Sequence, residues 1–344
     1  MRTLNSISDN TIFKSTNLYD HFVKKPIGFV DIGAAGGAHS LVSPVASITN
    51  CLCFEANLKA AKELQAIGTD IYSNFVVYNN AIASKNGSAI FYITESEVNS
   101  SLLKPGAEMV DRYNNSGMKV RETIKVATRT LDSIIREVGK TYYHPGEIIK
   151  LDCQGAEYGI LCAARETLAK QCVAIWCEVL FFQIYKKQNN FFDINKLLSS
   201  KGFTLYGLYP KYISKKMLDR TKYETNERLM WADAFYIKDP LSCENKTQSF
   251  TEREIDVLIL IALLTGFFDY AMEIIEVYKD DTLEKIKLNK FIRLLARRDK
   301  IKINRNTEIF MEKCRQSPNH TFLFAKKFID ENKKNNDVDF LTVD

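Results

Sequence analysis

A chain of 344 residues exceeds the usual size of one domain, which predicts one large domain plus a smaller appendage. Apolar residues make up 46% and charged residues 26%, ordinary values for a soluble globular protein, and Pro and Gly are too scarce for a long disordered tract. The formal net charge of +5 is too small for this length to point to nucleic acid, and the opening MRTLNSISDNTIFK lacks the apolar stretch of a secretory signal.

Short β-branched and aromatic runs alternate with helical patterns from about residue 28 to residue 238. That rhythm predicts βαβ units around a doubly wound, mostly parallel sheet. GFVDIG, from Gly28, reads as the first strand, and CLCF, residues 51–54, as a second, fully apolar one. NLKAAKELQAIG reads as a helix closed by Gly68, and Phe75–Tyr78 as a third strand. In AIASKNGSAIFYIT, two extended stretches flank Asn86-Gly87, a hairpin signal because both residues tolerate positive φ. The polar stretch from Glu95 to Asn115 predicts a mobile loop able to cover a site.

TIKVATRTLDSIIREVG supplies a strand and a short helix, with Thr130 or Asp132 near its start as cap. GEIIKLD is a buried strand, AEYGILCAARETLAK an amphipathic helix, VAIWCEV the next strand, and GFTLYGLY with ADAFYIK a closing pair. After Asp239-Pro240 long helical patterns take over, which predicts one domain over 1–240 and a helical C-terminal domain over 241–344. The longest apolar run, Val257–Leu264, is shorter than the about 20 residues needed to cross a bilayer and reads as a buried helix. ENKKNNDVDFLTVD, at the end of the chain, is expected to fray. The eight cysteines include no C-x-x-C and sit mostly in apolar runs, which predicts buried thiols in a reducing, cytoplasmic compartment.

The first strand ends in Asp31-Ile32-Gly33-Ala34-Ala35-Gly36-Gly37. Glycines here let the backbone turn sharply and approach a ligand with no Cβ in the way. The spacing G-x-x-G-G is not the dinucleotide G-x-G-x-x-G, because Ala35 stands where a second glycine would admit a pyrophosphate. That argues against a nicotinamide cofactor. Nineteen positions past Gly36, Glu55 closes the second strand, where a carboxylate can accept hydrogen bonds from both hydroxyls of an adenosine ribose. Two acids and a glycine turn fit S-adenosylmethionine, which has no phosphate and whose sulfonium and amino groups favour acidic surroundings such as Asp31. His39 follows the turn and could reach this site, while His144 lies in a Tyr-Tyr-His-Pro loop.

Asp152 ends the strand GEIIKLD, and in open α/β sheets ligands bind outside the carboxyl ends of strands. It is the first catalytic candidate: methyl transfer is an in-line displacement, so an enzyme aligns donor and acceptor and assists removal of the hydroxyl proton. Glu178, at the end of VAIWCEV, could share that work or bind a divalent cation with Asp152. Glu157, in the first turn of the next helix, is explained equally by the helix dipole.

Through VDIGAAGGAHS, FEAN, NNAIAS, TLDSII and IIKLDCQGAEYGIL, in that order over about residues 28–238, the chain resembles the FkbM-type methyltransferase family. The resemblance implies a Rossmann-like class I methyltransferase fold, S-adenosylmethionine as cofactor, and O-methylation, often of a sugar or polyketide hydroxyl. A small-molecule or glycan acceptor and a place in polysaccharide biosynthesis follow from it. So does a cofactor site drawn from Asp31, Gly33, Ala34, Gly36, His39, Glu55, Ala56, Asn80, Ala81, Ser101, Asp152 and Gln154. By the family pattern Asn80 and Ala81 flank the adenine, although Asn80 also suits a plain turn, and Ser100 and Ser101 touch the cofactor or only decorate the loop. Gln154 stands where the family usually has an acid and Ala56 where it usually has a proline. The first departure removes one candidate carboxylate.

From Lys285 to Arg305 nine Lys and Arg stand against the single Asp299, interleaved with Leu288, Phe291, Ile292 and Leu295 at helical spacing. The segment is either a solvated face packed on the first domain or a docking surface for anionic lipid or a phosphorylated carrier of the substrate. A noncatalytic scaffold that assembles partners through the helical tail is the alternative reading, from a different functional class.

Overall fold

The computed structural model describes residues 4–68, 71–141, 145–219, 221–245, 248–297, 300–318, 321 and 324–325. His144, Asp299 and the tail expected to fray lie outside them. Two compact units form, Met1–Lys215 with Asn226–Ile292, and Lys216–Thr225 with Arg293–Asp344.

The strands are β1 (Ile27–Ile32), β2 (Thr49–Phe54), β3 (Asn74–Tyr78), β4 (Ala81–Ile82), β5 (Gly87–Thr94), β6 (Val120–Arg129), β7 (Ile148–Leu151), β8 (Ala174–Leu180), β9 (Phe203–Ile213) and β10 (Arg228–Lys238). The α-helices are α1 (Thr11–Lys14), α2 (Asn17–Lys24), α3 (Leu58–Gly68), α4 (Ala107–Asp111), α5 (Leu131–Val138), α6 (Glu157–Ala163), α7 (Arg165–Lys170), α8 (Phe191–Ser199), α9 (Glu252–Thr265), α10 (Phe268–Tyr278), α11 (Thr282–Ala296) and α12 (Lys300–Gln316). Seven strands form one sheet in the order β3-β2-β1-β7-β8-β10-β9, parallel except that β10 runs antiparallel to both neighbours. This is the Rossmann-like, class I methyltransferase sheet expected. Elements on both faces explain why β1 and β2 are mostly apolar, Asp31, Thr49 and Asn50 excepted, since each residue of these strands is buried. On one face Ile134, Ile135, Leu161, Leu168 and Leu198 of the helices pack against Ile149 and Ile175 of the sheet.

Register decides which side chains meet. Asp31 pairs with Lys150, Lys150 with Trp176, and Trp176 with Phe235, so one row crosses β1, β7, β8 and β10. Two residues further along the same strands, and so on the same face, stand Gly33, Asp152 and Glu178. Glu178 is level with Asp233, and Asp233 with Tyr209. The chain leaves β1 towards β2 and β3 on one side and returns as β7 on the other. The carboxyl ends of β1 and β7 therefore border the crevice where ligands bind in such sheets.

Three local expectations differ from what is found. The Asn86-Gly87 hairpin does not form: β6 lies between β4 and β5, in a separate three-stranded sheet. Asn86 instead accepts hydrogen bonds from Thr130 N (2.7 Å) and Ser133 Oγ (3.0 Å) at the start of α5. AEYGILCAARETLAK is two helices broken at Ala164, because the Asp132 carboxylate takes the N–H groups of Glu166 and Thr167 at 3.0 and 2.9 Å and so starts α7. The Glu95–Asn115 loop is pinned. Ser101 bridges Tyr92, Gly106 N donates to Ile184 O (2.7 Å), and Lys186 N donates to Lys104 O (2.8 Å).

The run Val257–Leu264 is the buried centre of α9. Among the described residues no helix is long and apolar enough to cross a membrane. All eight cysteines are free thiols. In the basic segment Leu288, Phe291 and Ile292 point inward, Phe291 meeting Phe13 with ring centres 5.2 Å apart, while Lys290 and Arg293 are exposed.

One knot ties α9 to the amino ends of β1 and β7. Arg253 grips Glu147 with Nε and Nη2 (2.7 and 2.8 Å), and its remaining donors reach the carbonyls of Lys25 and Pro26. Glu147 also accepts Gly28 N at 2.9 Å, and the guanidinium lies over the Phe22 ring. Removing one partner of a buried pair strands the other charge. Arg253→Ala is therefore expected to cost about 3–5 kcal/mol in urea unfolding, with part recovered in the Arg253→Ala/Glu147→Gln double variant.

Candidate active site

At the end of β1 the chain turns at Gly33, whose φ is +80°, and a Cβ there would lie 2.0 Å from the Asp152 carbonyl oxygen. Only glycine permits this joint between β1 and β7. Gly33 N and Ala34 N both donate to Phe54 O (3.0 and 3.3 Å), which anchors the turn to β2. Gly36, at φ +81°, has open space where a Cβ would stand. A cavity of about 540 Å³ opens beyond the turn, within the range of small-molecule sites. Of the residues singled out in the sequence, Gly33, Gly36, His39, Glu55, Ala56, Asn80, Ala81, Asp152 and Gln154 line it.

Asp31, Ala34, Ser101 and Glu178 stand behind that lining. Asp31 is fully buried. Its Oδ2 accepts His39 N at 2.7 Å, and its Oδ1 lies 3.1 Å from Lys150 Nζ in an ion pair whose geometry falls short of a hydrogen bond. Lys150 Nζ also donates to Gly33 O (2.9 Å) and stands 3.8 Å from Asp152 Oδ2. Burial works against the ammonium, but Asp31 and Asp152 outweigh it and raise the Lys150 pKa. His39 is shifted the other way: burial lowers its pKa against the pull of Asp31, and its ring packs 5.6 Å from Trp176. Leu41 N donates to His39 Nδ1 (3.3 Å), which in the neutral ring assigns the proton to Nε2.

Glu55 closes β2, with Oε1 accepting Asn57 N at 2.7 Å, and burial holds its carboxyl above the ordinary range. Asn79, not Asn80, braces this corner: its amide donates to the carbonyls of Glu55 and Ala56 at 3.0 and 3.1 Å. That leaves Asn80 facing the cavity. Ser100 rather than Ser101 lines it, while the Ser101 hydroxyl donates to Gln154 O (2.8 Å).

On the β7–β8 side the Gln154 amide nitrogen lies 2.7 Å from Asp152 Oδ1 and 3.2 Å from Glu178 Oε2. Burial, and then the neighbouring Asp152 charge, hold Glu178 well above the usual carboxylate range. The residues expected to share a cation thus share an amide donor. Among the described residues, the group with metal-ligand spacing is His21, Glu252 and Asp256, on α2 and α9, where Lys279 Nζ already lies 2.5 Å from Asp256.

Sequence reasoning passed over Trp176 and Asp233 and read Lys150, beside Asp152, as only structural; all three line the cavity. Asp233 was detectable as the one charge inside the apolar run WADAF, because a buried strand carries an acid only where it has a partner. Burial, followed by the Asp152 charge, raises its pKa. Tyr209 stacks on Trp176 at 5.2 Å and 16°.

Glu157 accepts Cys153 N at 2.6 Å from within the fold, and burial lifts its pKa from 4.5 to about 7. A raised folded pKa means the neutral acid is the stabilised form. Its contribution is complete below pH 4.5 and lost as pH rises through about 7. Glu157→Gln keeps the acceptor and abolishes this loss. Its melting temperature is expected to gain on the wild type between pH 5 and pH 8, by a difference on the order of 1–3 kcal/mol in stability.

A family model for the FkbM methyltransferase domain matches residues 31–205, just over half of the chain. Among solved structures, an FkbM methyltransferase from Methylobacillus flagellatus KT is similar at 15% identity and a TM-score of 0.36, over 62% of this chain and 43% of that one. The chain therefore spans less than half the length of that relative. The magnesium protoporphyrin IX methyltransferase from Synechocystis PCC 6803, solved with bound SAM, is similar at 10% identity and a TM-score of 0.30, over 64% of this chain and 74% of that one. No curated protein matches. The family match over residues 31–205, which takes in the glycine turn, Glu55 and the strand-end acids, shows that this chain belongs to the FkbM methyltransferase family.

Proposed function

We propose that the protein transfers the methyl group of S-adenosylmethionine to a hydroxyl on a sugar ring, in a glycan or a natural product. The observation that carries this reading is the joint of Gly33 against Asp152, which sets a ligand-binding turn and a strand-end acid at one point of the cleft. Open space at Gly36 and the Glu55 carboxylate at the end of β2 suit an adenosine-bearing ligand without phosphate. Asn80 and Ala81 would border its base, and Glu55 would accept from its ribose. When bound, that cofactor supplies an electrophilic methyl on a sulfonium.

The acceptor half lies across β7 and β8. Asp152 reaches the cavity there, beside Lys150, and would take the hydroxyl proton as the new C–O bond forms and the methyl–sulfur bond breaks, with S-adenosylhomocysteine as the leaving group. Trp176, backed by the stacked Tyr209, and Asp233 form the wall behind it. Aromatic surface suits the C–H faces of a sugar ring and carboxylates suit its hydroxyls, which supports a sugar as acceptor.

Calorimetry with S-adenosylhomocysteine and with NAD, and transfer of labelled methyl from S-adenosylmethionine into fractionated glycan extracts, test the reading. Glu55→Ala is expected to weaken S-adenosylhomocysteine about 10- to 100-fold, the loss of one charge-assisted interaction. Asp152→Asn is expected to keep that binding and lose methyl incorporation about 100-fold or more. Binding of NAD alone, or full turnover by Asp152→Asn, would overturn it.

A further inference from the structure

Gln154 combines three features that a structural residue does not need together. Its φ is +56°, a left-handed conformation that is costly for a residue with a side chain and clusters at functional sites. Its backbone is held there by Ser101, whose hydroxyl accepts Leu103 N (2.9 Å) and donates to Gln154 O (2.8 Å). Its side chain is saturated: the nitrogen faces Asp152 Oδ1 and Glu178 Oε2, and Oε1 lies 2.6 Å from the Tyr185 hydroxyl.

Chemistry settles which way round the amide stands, a choice that shape alone leaves open. The Asp152 carboxylate needs a donor, and an amide nitrogen has hydrogens to give. The reversed amide would set its oxygen 2.7 Å from Asp152 Oδ1, acceptor against acceptor. Tyr185 is fully buried, and burial holds its phenol well above the ordinary value; its one hydrogen has two acceptors in reach, Asn99 O at 3.0 Å and Gln154 Oε1 at 2.6 Å, and the shorter contact takes it. Pro105 bridges Tyr185 from the pinned loop.

We propose that Gln154 is a positioning residue for methyl transfer: its carboxamide, fixed by Tyr185, locks the Asp152 carboxylate against Glu178 in the orientation that receives the acceptor's proton. This rests on the reading of Asp152 given above. An acid at 154 would bring a third negative group between two others and, once ionised, would have no hydrogen to offer either.

The test compares full-length wild type, Gln154→Leu, Gln154→Glu and Tyr185→Phe. Binding of S-adenosylhomocysteine is measured by calorimetry, and methyl transfer is measured from pH 6 to 9 into the extract fraction labelled by the wild type. Gln154→Leu and Tyr185→Phe are expected to bind S-adenosylhomocysteine like the wild type while kcat falls about 100-fold, the loss typical of a catalytic group misaligned by about 1 Å. The deficit of Gln154→Leu should not vary with pH. That of Gln154→Glu should be small at the acid end, where a protonated Glu can still donate to Asp152, and should deepen as pH rises. In protein labelled with ¹⁵N-glutamine, two separate, exchange-protected side-chain amide signals from Gln154 are expected, and they should shift in Tyr185→Phe. A Gln154→Leu kcat within twofold of wild type, a parallel loss of S-adenosylhomocysteine binding, or an unprotected Gln154 amide overturns the proposal. Wild type that binds S-adenosylhomocysteine but labels no fraction overturns the underlying reading first, and the positioning role with it.

Discussion

Lys150 is a nearly fully buried cation whose ammonium sits between Asp31, the Gly33 carbonyl and Asp152, and the rest of the site hangs on this contact. A buried ammonium persists only with opposite charge and acceptors around it. Here those partners come from the end of β1, the turn after it and the end of β7. The glycine turn and the strand-end acid are thereby held to one point, and the missing Cβ of Gly33 lets the two backbones close to that distance. Asp31, buried under the turn, serves this arrangement by fixing His39 N and balancing Lys150 rather than by lining the cavity.

Around that cation the acids are graded by environment. Asp152 reaches the cavity, while Glu178 and Glu157 lie behind it, their pKa values raised chiefly by burial. Crowding three carboxyls would be prohibitive if all were ionised. The neutral amide of Gln154, standing between two of them, and the Cys153 N–H on the third relieve it. Of these three carboxyls, Asp152 is the one that lines the cavity.

The terminal helices join the same economy of partners. The N–H groups at the start of α2 are capped by Glu284 of α11 (2.9 and 3.0 Å), Asp256 of α9 meets His21, and Arg253 meets Glu147. These bonds explain why charged residues stand inside strongly apolar helices. They tie the beginning of the chain, α9, α10 and α11 up to Ile292 into the compact unit that holds the sheet.

Periodicity and strand-end chemistry made most of this legible in the sequence. The alternation of apolar runs and amphipathic stretches determined the strands of the main sheet and the doubly wound class, and Asp31, Gly33, Glu55 and Asp152 were visible because each ends or follows a buried strand. What the tertiary structure decided was pairing. Which strand β5 joins, whether Asn79 or Asn80 faces the cavity, and that Asp233 lies level with Glu178 all depend on register between segments far apart in sequence. Local propensity acts over a few residues and carries no such information, whereas hydrogen-bond partners for buried charges are supplied only once distant strands are side by side.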